Sequence, residues 1–135
     1  MQPQMKIIRL LSSLLTIAIS LVWLINGFFC KVLNLVPRHE LIVSRILGPS
    51  HAHVLTTIIG ISEILMAVWV ISGIKSRLCA IFQMIIVTAM NIIEFIVVPE
   101  LLLFGRLNIV IASGFIATVY LNEFILKMQL KMADL

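Results

Sequence analysis

Charged side chains are scarce in this chain of 135 residues. Lys, Arg, Asp and Glu together make up 12% of it, against about 25% in a typical soluble domain. Hydrophobic residues make up 61% of the chain, and they are gathered into long runs. This balance excludes an ordinary soluble fold and indicates an integral membrane protein.

Aromatic residues and clusters of basic residues are also few. Aromatic residues account for 7% of the chain, and the basic residues occur singly or in pairs between apolar runs, although the net charge is +4. Nucleic-acid-binding domains instead carry a dense basic patch. We therefore expect no nucleic-acid partner, and we interpret the basic residues as determinants of membrane orientation.

The chain is also poor in metal ligands. His51 and His53 stand just before the second apolar run, and the two cysteines form no CxxC motif. Two imidazoles without a third ligand fall short of a zinc site, so the sequence predicts no metal. The two histidines are either a solvated loop pair or partners for proton exchange with Glu94 or Glu63.

Four apolar segments, at residues 10–30, 54–71, 78–98 and 107–126, dominate the sequence. At about 1.5 Å per residue, each crosses or nearly crosses a hydrocarbon core of about 30 Å. Pro37 can open a short amphipathic helix over residues 38–47, which Gly48 and Pro49 end. The prediction is an all-α fold: one domain over residues 1–135, an antiparallel bundle of four transmembrane helices with a short interfacial helix between helices 1 and 2. That short helix either lies in the headgroup plane or forms a lid on the bundle.

Four spans place both termini on the same side of the membrane. More of the basic residues fall on that side than on the other, which favours cytoplasmic termini by the positive-inside rule.

A stripe of mostly small residues on the first span suits close helix packing; it comprises Ser13, Thr16, Ser20, Trp23, Gly27 and Cys30.

Glu63 lies in the middle of the second span. A charged side chain there costs about 2.5–3.5 kcal/mol even on lenient insertion scales, so the carboxyl must be protonated, paired or next to water. The face of the helix that carries it is otherwise made of small residues, namely Thr56, Gly60 and Ala67. Glu123, by contrast, precedes Lys127 by four residues, the favoured order for an ion pair within one helix.

Further polar residues fall at similar depths. Counted from the outer boundary, Glu94 lies about 6 Å deep, Asn91 about 10 Å and Glu63 about 14 Å. These groups either hydrogen-bond between helices, at about 0.6–2 kcal/mol per contact, or line a polar pocket that opens outward. We adopt the pocket, in which Glu63 and Glu94 exchange hydrogen bonds or protons with a ligand, while Asn91, Asn26 and Lys31 orient it.

The motif Gly60-Ile61-Ser62-Glu63, followed by Ser72-Gly73, Arg77 and Cys79-Ala80, resembles the DoxX-like family of small bacterial membrane proteins. The likeness continues over most of the chain, at Asn26-Gly27 with Lys31, at Met90-Asn91 with Glu94, and at Tyr120-Leu121-Asn122-Glu123. The resemblance implies a four-helix protein of the bacterial inner membrane. Some relatives are subunits associated with thiosulfate–quinone oxidoreduction, which makes a quinone the candidate cofactor and a membrane redox protein the candidate partner.

Three functions remain open on this evidence. The first is a binding protein for a small amphiphile or quinone, serving as a subunit of a redox complex. The second is an enzyme subunit of a quinone-coupled oxidoreductase, although the chain lacks ligand sets for haem or iron–sulfur clusters. The third is a small proton-coupled carrier, although broken helices and inverted repeats are missing. We expect the first, a protein that is not an enzyme by itself.

Overall fold

The computed structural model describes residues 2–134, and all the regular secondary structure in that range is helical. Helix α1 runs Pro3–Leu24 and continues as a π-helical segment, π1, over Ile25–Val32. The remaining elements are α2 (Pro37–Leu47), α3 (Ala52–Ser72), α4 (Ser76–Val97), 3₁₀ turns at Pro99–Leu101 and Gly105–Leu107, α5 (Asn108–Tyr120), a second π-helical segment π2 (Leu121–Leu126) and α6 (Lys127–Ala133). The predicted all-α fold, with a short helix between the first two long ones, is confirmed.

Within residues 2–134, four helices are long and apolar enough to cross a membrane: Pro3–Val32, Ala52–Ser72, Ser76–Val97 and Gly105–Ala133, with mean hydropathies of 2.1, 2.2, 2.1 and 1.8. Each helix begins before its apolar run, and all but Ser76–Val97 also end after it, because their ends carry suitable residues. Pro3 fits the first turn of α1, and Gly73, with φ of 71°, ends α3 in the left-handed conformation that glycine adopts without strain.

The outer surface of these helices is apolar. Leu65 is 63% exposed, Ile85 is 63% exposed and Val110 is 64% exposed, and many other large apolar side chains share this position. A water-soluble monomer rarely exposes contiguous apolar surface of this extent. Lipid satisfies such a surface, so the chain is a multi-pass membrane protein.

The long helices pack as two pairs. α1 and π1 pack along α3, and α4 packs along α5. One end of the bundle holds the beginning of α1, the end of α6 and the turn between α3 and α4; we call it the terminal end, and there π2 contacts both α1 and α4. The opposite end is the α2 end, where α2 contacts both α3 and α4. The small buried apolar core lies among these helices and includes Ile19, Trp23, Met66 and Val119.

Helix α2 bridges the two pairs at its end of the bundle. Val43 is its buried residue, and Arg45 donates a hydrogen bond of 2.9 Å to Glu100 in the turn that follows α4. This position is compatible with both interpretations from the sequence, a helix in the headgroup plane and a lid on the bundle.

The predicted stripe on the first span is correct in part. Trp23 and Gly27 are buried, but Ser13 is exposed and Ser12 is buried in its place. The reason is that the buried face passes through Ser12, Ile19, Trp23, Gly27 and Lys31. This face therefore contains large and charged residues as well as small ones.

Candidate functional site

A buried ion pair joins the first two spans. Lys31 Nζ lies 3.0 Å from Glu63 Oε2, and each side chain is 8% exposed. Of the three states that the sequence allowed for Glu63, the structure shows the paired one. Two opposite charges in contact offset part of the cost of placing either one alone in hydrocarbon.

The pair forms because π1 interrupts the regular winding of the first helix. Hydrogen bonds in a π-helix reach back five residues instead of four, which turns the following side chains to a new direction. Leu33 N–H, for example, donates to the Phe28 carbonyl at 2.9 Å. Lys31 lies in this segment and is 7% exposed. The sequence analysis placed Lys31 at the outer boundary and did not pair it with Glu63. The one sign in the sequence that Lys31 could be buried is its position as a single cation directly after an apolar run.

Two glycines bring the helices together beside the pair. A methyl group on Gly27 would lie 2.5 Å from the Gly60 carbonyl oxygen and 2.8 Å from Glu63 Cβ. A methyl group on Gly60 would lie 2.7 Å from the Gly27 carbonyl oxygen and 2.9 Å from Lys31 Cβ. The backbones therefore touch, and only glycine fits at either position. Their contact fixes the separation of Lys31 and Glu63.

The face predicted for the second span is confirmed. Thr56, Gly60, Glu63 and Ala67 are all buried, because a period of three to four residues keeps them on one side of α3. That side packs on α1 and π1.

Glu94 differs from Glu63 in having no partner among residues 2–134. Its side chain is half-buried and makes neither a hydrogen bond nor an ion pair there. It lies within electrostatic range of both Lys31 and Glu63. The structure thus brings together three of the five predicted site residues, and one of them keeps a carboxyl group available.

The two predicted asparagines are placed differently. Asn91 accepts a hydrogen bond of 3.0 Å from Asn108 and donates one of 2.8 Å to the Val87 carbonyl, which ties α4 to α5. Asn26 donates to the Val22 carbonyl of its own helix at 2.9 Å. Neither amide is hydrogen-bonded to the Lys31–Glu63 pair.

His39 is a titratable group of the α2 end that sequence reasoning missed. Burial, followed by the charges of Lys31 and Arg38, lowers the pKa of His39 from 6.5 to about 4. His53 instead lies at the surface, where its Nδ1 is 2.8 Å from Glu40 Oε1, and His51 is exposed. Only the proximity of His39 to Arg38 in sequence hinted at its environment.

A second polar cluster occupies the terminal end. The predicted pair of Glu123 and Lys127 is confirmed at 3.3 Å, and Ser76 donates a hydrogen bond of 2.9 Å to the other carboxylate oxygen. Both Glu123 and the neighbouring Asn122 are buried within π2. Sequence reasoning found the pair but neither the π-helical segment nor the contribution of Ser76.

Hydrogen bonds between helices extend this cluster toward the core. Asn122 accepts from Ser12 at 2.7 Å and donates to Thr16 at 3.0 Å. Trp23 donates from its indole nitrogen to Gln83 at 2.7 Å. These contacts hold α1 against the second helix pair.

Within residues 2–134 no three His, Cys, Asp or Glu side chains are grouped closely enough to hold a metal ion.

Comparison with known proteins bears on the whole arrangement. A model of the DoxX-like family matches residues 20–121, whereas no curated protein and no solved structure matches the chain. The matched range contains the Lys31–Glu63 pair, the glycines that set it, and Glu94. Because it covers well over half of the chain, this membrane protein belongs to the DoxX-like family.

Proposed function

We propose that this membrane protein binds a small amphiphile, with a quinone as the candidate ligand, at the α2 end of its bundle. The polar head of the ligand would lie beside Glu94 and the Lys31–Glu63 pair, between the two helix pairs. The observation that carries the proposal is the half-buried carboxyl of Glu94, which has no partner among the described residues.

A carboxyl group inside a membrane needs a hydrogen-bonding partner. A quinone supplies one, because its carbonyl oxygens accept a hydrogen bond from a protonated carboxyl and its reduced hydroxyls donate to a carboxylate. The Lys31–Glu63 pair supplies fixed charges at the same place, held by the contact of Gly27 with Gly60. Such preorganised groups bind a ligand without further cost of ordering.

The amides would orient the ligand head. Asn91 lies one turn from Glu94 and uses one amide hydrogen for Val87, so the other is available. Asn26 retains its side-chain oxygen as an acceptor on π1. Helix α2, tied to the far side through Arg45 and Glu100, would cover the entrance.

The site would lie in the outer half of a bacterial inner membrane, with both termini cytoplasmic and a membrane redox protein as the partner. The excess of basic residues at the terminal end supports this orientation. An amphiphilic ligand would enter the site from the lipid bilayer.

The direct experiment is to extract the purified full-length protein with organic solvent and identify the lipids that it retains. Binding is then measured by titrating a short-chain benzoquinone into the protein in lipid nanodiscs and following tryptophan fluorescence. Glu94→Gln should weaken binding about tenfold, which corresponds to ~1.4 kcal/mol. Glu123→Gln, the same change at the terminal end, should leave binding unaltered. Absence of quinone from the extract together with unchanged affinity in Glu94→Gln would overturn the proposal.

A further inference from the structure

A small cavity lies at the terminal end, away from the proposed ligand site. Its volume is about 20 Å³, and it lies among α1, α3, α4 and the last span, which contributes α5, π2 and α6. A cavity of about 10–15 Å³ already accommodates one water molecule if polar groups surround it. The polar lining consists of Thr16, Ser76, Gln83, Asn122, Glu123 and Lys127, with the Cys79 thiol beside them.

Several of these groups have unused hydrogen-bonding capacity. Gln83 accepts from Trp23 and donates to the Cys79 sulfur at 3.5 Å, so its second amide hydrogen is available. Glu123 accepts one bond at each carboxylate oxygen, from Ser76 and Lys127, and each oxygen has a further lone pair. Donors and acceptors therefore face the same small space.

We propose that this cavity is a water-binding site and that its water joins the Glu123–Lys127 pair to Gln83. The water donates to the Glu123 carboxylate and accepts from the Gln83 amide, so polar contact runs without interruption from Lys127 to Trp23. The Lys127 side chain is 25% exposed and marks the opening through which the water exchanges. This inference is independent of the proposed ligand at the α2 end.

Cys79 provides a probe for this water. Brief X-ray irradiation converts bound water to hydroxyl radicals, which oxidise the nearest side chains, and thiols take up oxygen readily. Cys79 is 2% exposed, so its side chain is almost completely shielded from the outer surface of the protein. In the full-length protein in nanodiscs, we expect mass spectrometry to detect added oxygen on Cys79.

Filling the cavity should abolish the signal. Ala80 lines it, and the two carbon atoms that Ala80→Val adds take up more than the volume of one water, so oxidation of Cys79 should fall severalfold. The matched control is Ala89→Val, the same change on an exposed position of the same helix. The half-buried Cys30 at the other end is the internal reference and should react equally in all variants.

Val70→Ile is a second cavity-filling variant on α3, for use if Ala80→Val does not fold. Loss of Cys79 oxidation in either folded variant, with Cys30 unchanged, supports the water site. If Cys79 stays unmodified in the unaltered protein while Cys30 reacts, the cavity is dry and the proposal is wrong. Equal oxidation of Cys79 in the unaltered and the filled proteins also contradicts it.

Discussion

Each of the π-helical segments π1 and π2 holds one member of an ion pair, and the two pairs are built in opposite ways. At the α2 end, Lys31 and Glu63 come from different spans, meet at 3.0 Å and are equally buried. At the terminal end, Glu123 and Lys127 are four residues apart on one helix, and Lys127 reaches the surface. The first pair has touching backbones beside it, whereas the second has a cavity.

The difference indicates how much each pair depends on the rest of the fold. A pair within one helix forms wherever that helix forms, and its lysine can extend toward the interface. A pair between two helices exists only while those helices are in contact, and loss of one partner leaves a charge in hydrocarbon. We therefore expect equal changes to cost more at the α2 end than at the terminal end.

The largest effect should follow from removing one member of the deeply buried pair. Lys31→Met leaves Glu63 unpaired, and breaking a buried pair in this way costs about 3–5 kcal/mol of the free energy of unfolding. Unfolding of the purified protein in mixed micelles with increasing SDS measures that loss. Lys127→Met is the matched variant, and a loss as large as that of Lys31→Met would contradict the comparison.

A smaller loss is expected at the helix crossing. Gly27→Ala places a methyl group against the backbone of α3, and overpacking of this kind costs about 1–3 kcal/mol. Gly114→Ala is the control, because a methyl group there meets no atom within 4 Å. The same unfolding assay applies, and equal stability of the two variants would show that the helices can separate freely.

Acid should weaken the α2 end through His39. The pKa of His39 is lowered in the folded protein. Below the ordinary histidine pKa of 6.5, the unfolded protein therefore binds more protons at this residue than the folded protein does. Stability is therefore complete above about pH 6.5 and falls as the pH drops toward 4.

The measurement is the difference in the free energy of unfolding between about pH 7 and pH 5. In this range the unfolded protein gains a proton on His39 that the folded protein binds less readily, which lowers the free energy of unfolding. His39→Phe should flatten this dependence, whereas His51→Phe, at an exposed position, should retain it. A pH dependence that persists in His39→Phe would assign it to another group.

The smallest effect is expected from Ser76→Ala at the terminal end. It removes one hydrogen bond to Glu123, and such a loss costs about 0.5–1.5 kcal/mol. Ser113→Ala is the control, since Ser113 bonds only to the Ile109 carbonyl of its own helix. A loss at Ser76 that exceeds that of Gly27→Ala would reverse the proposed ranking of the two ends.

The sequence predicted those features that depend on one helix alone. The buried face of Thr56, Gly60 and Glu63 and the pair of Glu123 with Lys127 follow from helical periodicity. Run length and hydropathy were likewise sufficient for the four spans. The family resemblance is confirmed by the match over residues 20–121.

Contacts between helices were not predictable in the same way. The bond of Trp23 to Gln83 depends on which spans are neighbours, and the pairing of Lys31 depends on the altered winding of π1. The misplaced stripe at Ser13 has the same origin, since a rotation of one residue along α1 selects Ser12 instead. Periodicity gives the width of a buried face but leaves its partner open.

The touching glycines also bear on how the chain enters the lipid. Lys31 and Glu63 both belong to the first two spans, so synthesis has delivered both charges before α4 is made. These spans can therefore insert as a hairpin whose opposite charges already neutralise each other, with the glycine contact holding them in register. Insertion of Glu63 then requires no help from the second half of the protein.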